Sequence, residues 1–142
     1  MEEISFEVFG QLLDEVVREM PEEIFVSLNG GINLLEEAMP HPEADEGQLY
    51  ILGQYHYGGS LGRYITIYYG SFMELYGRRS QRQIRRQIDR VLRHEFLHHL
   101  ESMAGEKGLE VQDAVELARF KARQGIQQPA QLSTQHNTED EA

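Results

Sequence analysis

The sequence predicts an α+β domain: a small mixed sheet packed on one long helix, with a helix before it and another after it. Three observations carry that expectation. Apolar residues recur at helical spacing in three separate stretches, 6–20, 84–92 and 111–118. Between the first two lie short runs rich in Ile, Leu and Tyr, broken by Gly and Pro and too brief for helices. With 142 residues and a hydrophobic fraction of 40%, the chain can bury one core but not two.

The elements follow in order. Phe6, Phe9, Leu12, Leu13, Val16, Val17 and Met20 form one stripe of a helix that Pro21 ends. Residues 24–28 and 32–35 read as short strands separated by Asn29-Gly30-Gly31, although Glu22-Glu23 also suits a brief helical turn. A polar loop over 40–47 leads to a short strand over 49–52, and 53–59 reads as a flexible stretch. The β-branched and aromatic run 63–69 has the strongest strand propensity, and 71–76 is a short helix. Ser80-Gln81-Arg82-Gln83 has the form of a capping box opening a Gly- and Pro-free run over 81–104, which Gly105 and Gly108 would stop. A last helix is expected over 110–123. Residues 1–123 therefore form the single domain, and the Gln-, Thr- and acid-rich residues 124–142 are expected to be a disordered tail.

Composition narrows the chemistry. The chain has no cysteine, which removes disulfides and thiolate-held zinc, so any metal must be held by His and carboxylates. A net charge of −11 argues against a nucleic-acid partner, and the arginines of 78–93 read as a solvated helix face. No apolar run is long enough to cross a membrane, and Met1-Glu2-Glu3 lacks the layout of a signal peptide. A cytoplasmic protein is expected.

His94-Glu95-Phe96-Leu97-His98 is the motif that carries chemistry. Residues four apart lie one above the other on a helix, so His94 and His98 can reach one metal ion while Glu95 polarises a water bound to it. So short a pattern also arises by chance, and its setting is the test. With His94 at 0° on the wheel, Ile84, Ile88, Val91 and Leu92 fall between about 60° and 160°, and Glu95 falls near 100°. A carboxylate centred on the apolar stripe is costly unless a cation lies nearby. A catalytic zinc needs a third protein ligand. The extended metzincin pattern would place Gly at 101 and His at 104, where this chain has Glu101 and Ala104. Glu101, Glu110 and Asp113 compete for the role. Asp113 is preferred, as a polar interruption near the inward face of the last helix.

Four stretches carry a likeness to a known family: the amphipathic run 6–21 followed by Glu22-Glu23; Leu52-Gly53-Gln54-Tyr55; Ile65-Thr66-Ile67-Tyr68-Tyr69-Gly70; and Val91-Leu92-Arg93-His94-Glu95-Phe96-Leu97-His98-His99. In these the chain resembles the small bacterial zincin-like metallopeptidases. The resemblance implies a zincin-type α+β fold, His94 and His98 as metal ligands, and Glu95 as general base. Many members follow the second His with His-Phe-Gly and then an acidic residue three further on. Here His99-Leu100-Glu101 stands instead, with an apparent insertion before 109–113, so the third ligand stays open between Asp113, Glu110 and Glu101.

The expected function is a zinc-dependent hydrolase, a metallopeptidase acting on a peptide or protein substrate. The alternative is a regulatory metal-binding module that binds or cleaves one specific protein partner. Tyr68, Tyr69, His56 and His99 are candidates to stabilise an oxyanion, though each Tyr reads first as packing and His99 as a hydrogen-bonded neighbour of the site. His41 and His136 read as inert. If 65–69 forms the sheet edge, an extended peptide could add to it while 53–59 closes as a flap.

Overall fold

Ser5 starts the first helix: in extended conformation, its hydroxyl accepts a hydrogen bond from the Val8 amide at 3.1 Å, opening α1 (Phe6–Arg18). The computed structural model describes residues 3–42, 49–107 and 135–136. After Pro21 the chain makes a 3-10 turn (Glu22–Phe25), then β1 (Gly31–Leu35), β2 (Met39–Pro40), β3 (Tyr50–Ile51), β4 (Gly53–His56) and β5 (Tyr64–Tyr68). Two helices follow, α2 (Tyr69–Tyr76) and α3 (Gln81–Lys107), and a short strand, β6 (Gln135–His136). The architecture is mixed α+β with small sheets.

The main sheet has the order β1-β5-β4-β6. β1 runs parallel to β5 with Ile32 opposite Ile65, and β4 runs antiparallel to β5 with Tyr55 opposite Ile65. β2 and β3 form a separate antiparallel pair. Alternation along β4 turns Gly53 and Tyr55 inward, and Ile65 and Ile67 of β5 share that face. α3 lies against β4 and α1. Its buried Ile84, Ile88, Val91, Leu92, Phe96 and Leu100 form the centre of the core with Phe9 and Val16 of α1. Arg85 of α3 holds Glu15 and Glu19 of α1 at 3.0 and 2.8 Å, a half-exposed clamp worth at most about 1 kcal/mol. Among the described residues, no helix is long and apolar enough to cross a membrane.

The capping box forms as expected: the Gln83 amide donates to Ser80 Oγ at 3.1 Å and the Ser80 amide to Gln83 Oε1 at 3.2 Å. Four expectations change. The strand foreseen over 24–28 is replaced by the 3-10 turn, because Pro21 presets the entry and only Ile24 of that turn is buried. The stretch read as flexible begins with a paired strand, β4, and the turn to β5 comes later, at Gly58 and Gly59 with φ of 92° and 74°. β5 lies inside the sheet rather than at its edge, because β1 takes one side of it and β4 the other. α3 runs through Gly105, which is exposed and meets nothing where a Cβ would stand, so the missing side chain sacrifices no packing. Within 124–142, Gln135 and His136 pair with Gln54 and Tyr55 along the outer side of β4. The helix expected over 110–123 and the rest of that tail lie outside the described residues.

Gly53 fixes how closely β4 approaches α3. A Cβ there would stand 2.9 Å from Val91 Cγ1, 3.2 Å from Ile67 Cδ1 and 3.4 Å from Glu95 Cγ. Val91, β-branched and in a helix, has essentially one rotamer and cannot swing aside. Gly53→Ala should therefore destabilise the fold by about 1–3 kcal/mol in denaturant unfolding, although alanine suits a strand better than glycine.

Candidate metal centre

His94 and His98 occupy successive turns of α3 and are half-buried. Their Nε2 atoms lie 3.2 Å apart, with the ring planes at 89° and centroids 4.7 Å apart. Two zinc–nitrogen bonds of about 2.05 Å at a near-tetrahedral angle place their nitrogens about 3.3 Å apart. The pair thus has the donor separation of two ligands on one ion. Among the described residues, no group of three or more His, Cys, Asp or Glu side chains is placed to hold a metal, and Glu101 is exposed and completes none. Asp113 and Glu110 lie outside the described residues.

Glu95 is fully buried, and neither carboxyl oxygen has a hydrogen-bond partner. Burial pushes its pKa well above the usual carboxylate range. The nearby Tyr55 backbone pulls the other way, although neither oxygen is hydrogen-bonded. A carboxyl group in this setting stays protonated unless a cation comes close. Two converging imidazole nitrogens, with an unpartnered acid on the same stretch of helix, are donor chemistry that a zinc ion suits.

One residue on, His99 is buried and held at both ring nitrogens. Its Nε2 lies 2.7 Å from the Val26 carbonyl and its Nδ1 lies 2.8 Å from the Tyr55 hydroxyl. A carbonyl only accepts, so Nε2 carries the proton toward Val26 and Nδ1 accepts from Tyr55. Arg63 Nη1 donates to the Tyr55 hydroxyl at 2.8 Å and to Ser102 Oγ at 2.6 Å. Burial, with the Arg63 charge adding to it and the Val26 bond opposing, lowers the His99 pKa from 6.5 to about 4. His99 is neutral at pH 7.

No family model matches the chain, and no curated protein matches it. Among solved structures, a conserved hypothetical protein from Thermus thermophilus is similar, with a TM-score of 0.63 and 33% identity. The match covers 71% of this chain and 98% of that one. The chain belongs to that protein's family. The relationship carries a shared fold across nearly the whole of the relative.

The other candidates separate by position. Tyr69 is tied to α1, its hydroxyl donating to the Ile4 carbonyl and its ring edge-on to Phe6 and Phe9. Tyr68 donates to Gln54 Oε1 at 3.0 Å. His56 stacks on Tyr64 at 4.4 Å, on the sheet face opposite Tyr55. The partners that hold these three belong to α1 and the sheet, whereas His99 adjoins the His94–His98 pair through the helix itself. The sequence reading places Gly53 and Tyr55 in a stretch that carries the family likeness and Arg63 at the head of a strand, but assigns no role to them or to Ser102. The alternation of Gly53-Gln54-Tyr55-His56 was the available signal for the first two, and nothing local marks the others.

The His99 shift sets a pH dependence. The unfolded chain takes up this proton near 6.5 and the folded chain only near 4, so the stability it contributes is full above pH 6.5 and lost as pH falls toward 4. Glu95 acts in the opposite sense, since its folded pKa is raised. Comparison with His99→Gln isolates the first effect. Denaturant unfolding should show the wild type gaining about 3 kcal/mol relative to that variant between pH 4 and pH 6.5.

Proposed function

We propose that this chain is a zinc-dependent hydrolase of the zincin type that cleaves peptide bonds. The observation that carries the reading is the 3.2 Å convergence of His94 Nε2 and His98 Nε2 beside a fully buried, hydrogen-bond-free Glu95 carboxyl. The two imidazoles would hold the ion with a third ligand from the segment after α3, Asp113 first and Glu110 second. Zinc bound there would polarise a substrate carbonyl and bring the pKa of a water molecule toward neutrality.

The protein's own part is proton transfer and exclusion of water. Beside a cation, the ionised form of Glu95 becomes the favoured one, and its oxygens, lacking other partners, are available to a water proton. The same carboxyl then delivers that proton to the departing amine nitrogen. Val91 and Gly53 pack against its stem and keep bulk water from that side. The net charge of −11 favours peptide over nucleic acid as substrate.

Metal analysis of protein purified without a His-tag should find one equivalent of zinc. His94→Ala and His98→Ala should each lose it, and so should Asp113→Ala. Retention by Asp113→Ala with loss in Glu110→Ala would transfer the third role. A zinc-supplemented wild type that holds no metal would overturn the reading.

Glu95→Gln should keep the zinc while turnover of a mixed peptide pool falls by about 10²- to 10⁴-fold. In the metal-free protein the same change removes a titrating group from the core. Its Tm at pH 7 should therefore rise above that of the metal-free wild type.

A further inference from the structure

We infer that Tyr55 and Arg63 are positioning residues for the metal centre: through His99 and Ser102 they lock the pose of α3, and with it the His94–Glu95–His98 set, against β4. The inference rests on the zinc reading above and concerns how the site is held rather than what it does.

α3 is 27 residues long, and along its first two-thirds it is seated mainly by apolar side chains. Such packing is strong but weakly directional, so it tolerates small rotations about the helix axis. The metal centre does not. Side chains end roughly 5–6 Å from a helix axis, so a 10° turn carries an imidazole about 1 Å relative to everything outside the helix, and ligand distances hold to about 0.2 Å. Something directional must fix the turn that carries His98.

The hydrogen-bonded chain Val26–His99–Tyr55–Arg63–Ser102 does this. It grips α3 one residue and four residues after His98, the first from both sides of the His99 ring. Its partners come from three places outside the helix: the loop at Val26, strand β4 at Tyr55, and the head of β5 at Arg63. The Tyr55–His99 and Arg63–Tyr55 bonds, each 2.8 Å, are buried and costly to break, and the part-buried bonds to Val26 and Ser102 extend them to the loop and along α3. Ser27, beside the anchoring Val26, sits at φ 60°, a left-handed conformation that persists only where its surroundings fix the segment. Arg63 also lies 5.7 Å from the Tyr57 ring centroid, which limits its swing. The Tyr55 hydroxyl grips the residue that follows His98. The grip also fixes the end of α3, beyond which Glu110 and Asp113 follow in the chain.

Zinc affinity of the whole chain, measured by competition with a chromophoric chelator, tests this without reference to activity. Tyr55→Phe keeps the ring and removes the hydroxyl, and should weaken zinc binding by about 10- to 100-fold. Arg63→Met should do the same and Arg63→Lys should recover part of the loss. The double variant should bind little worse than the poorer single one, since both cut one chain of bonds. Ile88→Val, a core change that lowers Tm without touching the clasp, should bind zinc as the wild type does. The d–d absorption of the cobalt(II)-loaded protein should shift in Tyr55→Phe and not in Ile88→Val. Wild-type zinc affinity and an unshifted cobalt spectrum in Tyr55→Phe would overturn the inference. If that variant does not fold, Arg63→Met against Arg63→Lys decides the matter in the same way. Absence of zinc binding by the wild type would remove the hydrolase reading first, and is seen before any variant is compared.

Discussion

Glu95 is the constraint around which the molecule is arranged. A carboxyl group without a hydrogen bond, set in the middle of a helix's apolar stripe, is among the more costly things a small core can contain. Six residues further along α3, Glu101 places the same side chain in solvent. Where Glu95 stands, its stem lies against the strand at Gly53, whose missing side chain makes room for Val91 and Ile67 of the same core. Stability alone would select an apolar residue at this position. Its presence is understandable if a positive charge is brought to the two imidazoles beside it.

The elements that proved legible in the sequence are those with long, repeated signals. The stripe from Phe6 to Met20, the capping box at Ser80, the run from Ile84 to Leu92 and the β-branched stretch of β5 each agree with several local rules at once. The site's first members were legible for the same reason, since His94, Glu95 and His98 take their relation from one helix. Residues whose meaning depends on another part of the chain were not legible. Gly53 resembles a loop glycine until α3 is placed on it, when it becomes a close-contact residue in a strand. Tyr55 and Arg63 sit 44 and 39 residues from the partners they hold on α3, and no local pattern announces such a pairing. Gly105 misled for the opposite reason: helix-stop rules are local, and a long helix already seated on α1 and β4 carries one exposed glycine without ending.

The order of the sheet follows from the same geometry. β5 has the highest strand propensity and takes the interior, with β1 parallel on one side and β4 antiparallel on the other. β4 also has a neighbour on each side, β5 and β6, although it is only four residues long and begins with a glycine. What it offers is proximity to α3. The short strand therefore lies nearest the site, and the long one supports it from behind. The clasp from Tyr55 to His99 crosses this boundary between sheet and helix at a buried point, where water cannot compete for its hydrogen bonds.

The two imidazoles are converged by a contact of their own. At 3.2 Å, with perpendicular rings, one Nε2 can carry a proton and donate while the other accepts, which keeps the donors converged instead of splayed. Two metal bonds need both of those lone pairs, so the donating ring must shift its proton to Nδ1 or lose it. On the zinc reading, binding would replace the contact between the two Nε2 atoms with two bonds to the ion. Preorganisation of that kind would leave the proposed clasp to act through His99 and Ser102 rather than on the two rings themselves. The contact between the rings accounts for their separation, and the pose of α3 decides where they are presented.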